Sequence, residues 1–195
     1  MRHKWLILSD IIINNNYKSV IDIGISKGVT VKGISHQMFT RAHALDVYYG
    51  VDPMEESYFA ASREEIEDLC DWAPFKFVKK YSDDALKDFE QVDFVYVDGS
   101  HVPAQMCKDM ENYVHKVKDG GCIAGHEYGA TFISHINGDY KEITKFIDKF
   151  FGKENINTEE DARKESQDTV SVWWTYVYRN GDRLEYSKQR RTDKI

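Results

Sequence analysis

The sequence predicts an α/β fold: a mostly parallel, seven-stranded sheet forming the middle of three layers and ending in an antiparallel hairpin. Three observations predict it. Short apolar, β-branched runs recur along the chain, each closed by a turn-forming residue and followed by a helix-like stretch. Right-handed crossovers turn that alternation into parallel strands covered on both faces. Near the end, Arg179-Asn180-Gly181-Asp182 centres on Asn-Gly, the strongest short hairpin signal.

The elements follow in order. Residues 1–17 read as an amphipathic first helix, since Ser9 and Asp10 interrupt the apolar run from Trp5 to Ile13. The first strand, Ser19 to Ile23, ends at Gly24, and the second, Val47 to Val51, ends at Asp52-Pro53. Glu55 to Asp71 is acidic and helix-like. Pro74 introduces a third strand, Phe75 to Val78, and the fourth, Val92 to Val97, ends in Asp98-Gly99. Met106, Met110, Tyr113, Val114 and Val117 then share one helical face. The fifth strand, Cys122 to Ala124, lies between Gly120-Gly121 and Gly125. Asp139 to Phe151 repeats the helical pattern, and the polar stretch 152–168 reads as a mobile surface loop. Val170 to Tyr178 and Leu184-Glu185-Tyr186 are the two arms of the hairpin, and 188–195 is a solvated tail. Trp173 and Trp174 are adjacent in a strand and point to opposite faces.

Size and composition narrow the function. A chain of 195 residues suits one well-cored domain. With 42% apolar and 30% charged residues, its composition is that of an ordinary globular protein. No window approaches the ~20 apolar residues of a membrane span, and no cleavable leader is recognisable, so a cytoplasmic location is expected. Cys70, Cys107 and Cys122 are odd in number and widely spaced, which argues against a disulfide framework and a structural zinc site. A formal charge of −7 disfavours nucleic acid as a partner.

In open parallel sheets, ligands bind beyond the carboxyl ends of the strands. The candidate residues are therefore Asp22 to Gly28, Asp52, Ser82-Asp83, Asp98 to His101 and Gly125 to Tyr128. The loop "DIGISKG" contains Gly24-Ile25-Ser26-Lys27-Gly28, which fits the G-x-S-x-G elbow of a serine hydrolase. Asp98 and His101 would complete a Ser-Asp-His order, but Ser26 follows the first strand, too early for an elbow at the centre of a sheet. Val29 after Gly28 rules out a P-loop, and Ser26 stands where a dinucleotide fingerprint needs glycine. A cofactor with a ribose and a positive centre fits better, with Asp52 at the tip of the second strand accepting from ribose hydroxyls. Helix capping is the alternative role for Asp22, Asp52 and Ser82-Asp83. With Asp98, four such features at successive strand ends favour a site.

These motifs carry a resemblance. "DIGISKG", "YYGVDPM", "YSDDAL" and "DFVYVDGSHVPAQMCKDMENYVHKVKDGGCIAGHEY" are similar to successive motifs of class I S-adenosylmethionine-dependent methyltransferases. The last resembles the branch of macrocin-type sugar O-methyltransferases and the cephalosporin hydroxylase/rhamnosyl O-methyltransferase group. The resemblance runs from about Ser19 to Tyr128, with the hairpin fitting the last two strands of the same Rossmann-like fold, here one methyltransferase domain over 1–195. It implies that Asp22, Gly24, Ser26 and Gly28 form the loop beside the methionine part of the cofactor. Asp52 would bind the ribose, Ser82 and Asp83 would lie near the adenine, and Asp98 would sit beneath the transferred methyl. It also implies a divalent cation, Mg2+ or Mn2+, at Asp98 and the pair after the fifth strand, here His126-Glu127.

A sugar or alcohol hydroxyl is a poor nucleophile at neutral pH, and His101, three residues after Asp98, is a sensible general base. The function expected is O-methylation of a small molecule, with a sugar or glycoside as the implied acceptor. A homo-oligomer and fusion to a glycan-modifying domain both stay open. The other readings are a Ser26 hydrolase, a non-catalytic cofactor-binding module and a metal-dependent hydroxylase-like activity. Among the other histidines, His135 could face the acceptor, whereas His36, His43 and His115 read as surface or packing residues.

Overall fold

A computed structural model describes residues 2–54, 63–131, 133–134, 138–161 and 170–191. In chain order the elements are α1 (Lys4–Asn14), β1 (Ser19–Ile23), α2 (Val29–Thr40), β2 (Val47–Val51), α3 (Arg63–Cys70), β3 (Phe75–Val78), α4 (Ser82–Ala85) and β4 (Val92–Val97). They continue with α5 (Pro103–Tyr113), β5 (Val117–Tyr128), the short ribbon β6 (Ile133–Ser134) and β7 (Gly138–Asp139), then α6 (Lys141–Ile147). The last three are β8 (Asn157–Glu160), β9 (Ser171–Asn180) and β10 (Arg183–Ser187).

The sheet runs β3-β2-β1-β4-β5-β9-β10, parallel from β3 to β5 and antiparallel beyond. This is the expected Rossmann-like α/β arrangement. Strand alternation divides the apolar residues between two cores. Ile21, Ile23, Val95, Val97, Ile123 and Trp173 face the layer that holds α5 and α6. Val20, Phe94, Tyr96, Cys122 and Val172 face the layer that holds α1 and α2. Trp174, next to the fully buried Trp173, packs at the edge of that second core. The chain order reverses between β1 and β4, so the crevice beyond their carboxyl ends is the topological switch point.

Three expectations need correction. The stretch 152–168 is not a loop throughout: β8 pairs with β9 at Asn157↔Trp174 to Glu160↔Ser171, on the same edge that β10 occupies further along. Its alternating half-buried and exposed polar residues suit an edge strand, where polarity deters further pairing but hides the strand from a hydropathy reading. Residues 162–169 lie outside the described residues, as do 55–62 of the acidic helix and His135. The fifth strand extends well beyond Cys122–Ala124, because Gly120 and Gly121 lie within it rather than before it. The tail is also anchored as far as Arg191. Arg190 donates to the Asn15 carbonyl and lies over the Tyr17 ring, while Arg191 stacks on Tyr178 and pairs with Glu185.

Candidate functional site

The loop after β1 is built around close backbone contact with β4. Gly24 donates to the Val51 carbonyl at 2.8 Å, and Asp98 donates from its backbone to the Ile23 carbonyl at 2.9 Å. Gly24 has φ +87°, and a Cβ there would come within 2.3 Å of the Asp98 carbonyl oxygen. Only glycine meets both demands. Gly28 begins α2 with φ +71°, against the Leu69 side chain. Asp22, buried, accepts from the Tyr48 hydroxyl at 2.7 Å through Oδ2, whereas its Oδ1 has no partner among the described residues. Burial pushes its carboxyl up to about 7.

Asp52 holds the first two loops together by accepting from the backbone of Ser26 at 3.0 Å and of Met54 at 2.8 Å. Ser82 and Asp83 form a separate group: Ser82 donates to Asp109 at 2.6 Å, and Asp83 pairs with Lys108 at 2.7 Å on the surface. Neither caps α4.

Beyond β4 and β5 lies a buried set of charges. Asp98 Oδ2 accepts from the Tyr96 hydroxyl at 3.0 Å and from the ammonium of Lys4, the first residue of α1. Asp98 Oδ1 has no partner among the described residues. His101 Nδ1 lies 3.2 Å from Glu127 Oε1. The His101 side chain is 44% exposed and Glu127 only 3%, so the histidine reaches outward from a buried acid. A register shift between Gly125 and Tyr128, with Glu127 at φ +65°, breaks the strand alternation, and both His126 and Glu127 are buried. The Nδ1 of His126 faces Glu127 at 3.4 Å and Asp98 at 3.8 Å, while Nε2 faces Asp161 at 3.3 Å.

The ionisation states follow from these neighbours. Burial alone would raise Asp98 and Glu127, but Lys4, His126 and His101 hold Asp98 well below the carboxylate range. His101 and His126 likewise hold Glu127 down at about 2. Hydrogen bonding to Glu127 raises His101 above its ordinary value. Burial works against a charged His126, yet Asp161, Glu127 and Asp98 outweigh it and bring that imidazole up to about 9. A basic group whose folded pKa is raised contributes stability that is complete below 6.5 and lost as pH rises through about 9. The loss should amount to ~3 kcal/mol by pH 9.5. Denaturant unfolding at pH 6 and 9.5 measures it, and His126→Gln should flatten the difference; an equal decline in both proteins would refute the assignment.

Ser26, Met54, His101 and Glu127 all have positive φ despite being non-glycine, and all four lie at strand ends around the crevice. Such strain gathers where surrounding structure holds functional groups in place. The crevice thus brings together Asp22, Gly24, Asp98, His101, His126 and Glu127. The donor atoms of Asp98, His101 and Glu127 lie within 4.8 Å of one another, so His101 rather than His126 joins the two acids in the group that could surround an ion. The sequence reading missed Lys4, Tyr48, Tyr96 and Asp161. Only Lys4 left a trace, as a lone cation heading an apolar helix. Asp98 and His101 are engaged with Lys4, Tyr96 and Glu127, so the hydrolase order is not assembled around Ser26.

Comparison with known proteins bears on the fold and the family. No helix among the described residues is long and apolar enough to cross a membrane. No curated protein matches the chain in sequence. Among solved structures, an O-methyltransferase from Bacillus cereus in complex with SAH has a TM-score of 0.62 at 12% identity, covering 88% of this chain and 79% of that one. The O-methyltransferase TomG from Streptomyces achromogenes, involved in tomaymycin synthesis and solved with SAM, has a TM-score of 0.62 at 10% identity, covering 87% and 78%. The N-methyltransferase NodS from Bradyrhizobium japonicum has a TM-score of 0.58 at 14% identity, covering 90% and 93%. At these identities the likeness is one of fold. The sequence itself matches the family described as "Methyltransferase domain" over residues 21–128, from β1 to the end of β5 and more than half of the chain. The protein belongs to that family and is an S-adenosylmethionine-dependent methyltransferase of class I, which sets the Ser26 hydrolase aside.

Proposed function

We propose that this methyltransferase transfers the methyl group of S-adenosylmethionine to a hydroxyl oxygen of a small molecule, a sugar or glycoside, with His101 as general base. The observation that carries the reading is the His101–Glu127 pair at 3.2 Å, with the histidine opening from a buried carboxylate at the switch point. Glu127 accepts from Nδ1–H and leaves Nε2 to take the acceptor proton. The acceptor oxygen then attacks the methyl carbon in line, the carbon–sulfur bond breaks, and its electron pair stays on sulfur to give S-adenosylhomocysteine. The sulfonium is already activated, so the protein's task is alignment and proton removal. The sugar acceptor rests on the resemblance of the stretch from Asp93 to Tyr128 to sugar O-methyltransferases.

The cofactor would lie across Asp22, Gly24, Ser26 and Gly28, beside Asp98. Asp52, with lone pairs beyond its two backbone contacts, would meet the ribose. Ser82 and Asp83 would stand near the adenine, where Asp83 shares its carboxylate with Lys108. The unpartnered Asp22 Oδ1 would meet positive charge on the cofactor. Because only the ionised carboxylate attracts that charge, affinity for S-adenosylmethionine should rise as pH crosses about 7. Calorimetry at pH 6 and pH 8 is expected to show that rise in the wild type. Asp22→Asn should lose it together with about tenfold in affinity, roughly 1.4 kcal/mol; unchanged binding by the variant would remove Asp22 from the cofactor site.

A divalent ion would need Asp98, Glu127 and a third donor. Spacing admits one, with His101 as that donor, but the Lys4 ammonium already lies on Asp98 Oδ2, so a dication there would have to displace it. With the Lys4 ammonium resident on Asp98, the site as arranged does not suit Mg2+ or Mn2+, and no step of the reaction is drawn through a metal.

The reading is tested by incubating the protein with S-adenosylmethionine and a panel of glycosides, phenols and amines. A methyl ether formed with one equivalent of S-adenosylhomocysteine is expected. Methylation confined to amines would overturn it.

A further inference from the structure

We infer that Lys4 is the site's resident cation: its ammonium, delivered by the start of α1, occupies Asp98 in the manner of a metal ion and frees methyl transfer from any divalent requirement. The inference rests on the proposed placement of the reaction at Asp98 and His101, and goes beyond it by assigning a positioning role to the N-terminal helix.

The Lys4 side chain is 11% exposed, and its ammonium lies on Asp98 Oδ2, the oxygen that also accepts from Tyr96. Oδ1 receives no hydrogen bond among the described residues, with His126 Nδ1 facing it at 3.8 Å. Lysine thus satisfies one oxygen of the carboxylate and leaves the other available. The approach of Lys4 is fixed from several directions. Its backbone N–H donates to Asp161 Oδ1 at 3.1 Å, and Asp161 donates in turn to the Val170 carbonyl at 3.1 Å. Arg2 forms a β-bridge with Asp161, and its guanidinium grips Glu159 of β8 through two bonds of 2.7 and 2.8 Å. The same guanidinium contacts Asp10 of α1. The chain entering α1 is therefore pinned to the edge strand with the ammonium aimed at the reaction crevice.

Stability alone does not explain this lysine. Burying an ion pair incurs desolvation of both ions, and an apolar residue of similar volume commonly serves packing as well or better. The rest of α1 is mostly apolar, so a methionine would suit the helix. What only a cation supplies is a fixed positive charge on Asp98. It keeps that carboxylate ionised and oriented, and it offsets the negative charge that develops on the acceptor oxygen as His101 removes the proton.

The test titrates Mn2+ alone into the 195-residue chain, followed by electron paramagnetic resonance and calorimetry, for wild type, Lys4→Arg and Lys4→Gln. Wild type and Lys4→Arg are expected to show no saturable site below ~1 mM. Lys4→Gln should gain one at least about tenfold tighter, lost again when Glu127→Gln is added. One Mn2+ bound per chain by the wild type at micromolar concentration overturns the inference, as does a folded Lys4→Gln that binds no better. If Lys4→Gln fails to fold, the wild-type and Lys4→Arg titrations decide in the same sense. Turnover by the wild type should survive exhaustive chelation. If the proposed O-methylation fails instead, the panel of acceptors shows it, whereas the Mn2+ titrations do not depend on the acceptor.

Discussion

Replacing His101 with glutamine is expected to lower kcat by ~10²–10⁴-fold while leaving affinity for S-adenosylmethionine nearly unchanged. The split follows from what the side chain touches. Its Nδ1 is committed to Glu127, and no cofactor-loop residue depends on it. Glutamine can keep a hydrogen bond to Glu127 but cannot accept a proton at neutral pH. The pH dependence gives a second reading of the same step. Glu127 raises the pKa of His101, and only the neutral imidazole acts as base. In the wild type, kcat at saturating S-adenosylmethionine, where the Asp22 dependence of cofactor affinity drops out, should therefore rise with pH, with its midpoint raised above that of a free histidine, and level off beyond it. In His101→Gln that limb should vanish. Glu127→Gln should retain the limb but shift it toward lower pH, because the group that raises it has lost its charge. Rates measured from pH 5 to 10 on the three proteins check this, and a wild-type limb surviving in His101→Gln would exclude the base.

The second large effect is expected from Gly24→Ala. A Cβ at this position would lie 2.3 Å from the Asp98 carbonyl oxygen and 2.5 Å from the Gly99 Cα, both backbone atoms that cannot swing aside. The residue also has φ +87°, which an L side chain rarely adopts. Strain at positive φ amounts to ~1–2 kcal/mol and overpacking to another ~1–3 kcal/mol, so a loss of about 3 kcal/mol in unfolding free energy is expected. Relief requires the β1 and β4 ends to separate, which opens the switch point that would hold the cofactor, so affinity for S-adenosylhomocysteine should fall by at least tenfold. Gly120→Ala is the control. Gly120 also has positive φ, +74°, but its Cβ would meet nothing within 4 Å. It should show the conformational strain alone and keep cofactor affinity. Equal stability losses in the two variants would show that the Asp98 contact is not tight.

Much of the frame was readable from the residues because its strands announce themselves locally. Ser19–Ile23, Val47–Val51, Phe75–Val78 and Val92–Val97 are apolar, β-branched runs bounded by turn residues, and the structure keeps those bounds. The hairpin was legible too, although its two-residue turn is Gly181-Asp182, with Asn180 paired to Arg183, one position later than a turn centred on Asn-Gly. What escaped was decided by distant partners. Asn157–Glu160 is a strand only because β9 offers it an open edge, and its polar side chains give no apolar alternation to read. Lys4 and Asp161 meet across 157 positions of sequence, and no local pattern links them. The pair His126-Glu127 was visible as chemistry, but not the bulge that buries both side chains or the third carboxylate, Asp161, that faces His126 Nε2 at 3.3 Å. Local pattern marks where the crevice lies; long-range charge pairing decides what it contains.

The most direct test of the central claim is the fate of a labelled methyl group. Wild type and His101→Gln, each first shown to bind S-adenosylmethionine, are incubated with the methyl-labelled cofactor and hydroxyl acceptors, and the product is resolved by mass and label position. Label on an acceptor oxygen in the wild type, with stoichiometric S-adenosylhomocysteine and at least ~100-fold less in the variant, is the expected outcome. Label on nitrogen or carbon, or equal transfer by the variant, would contradict it.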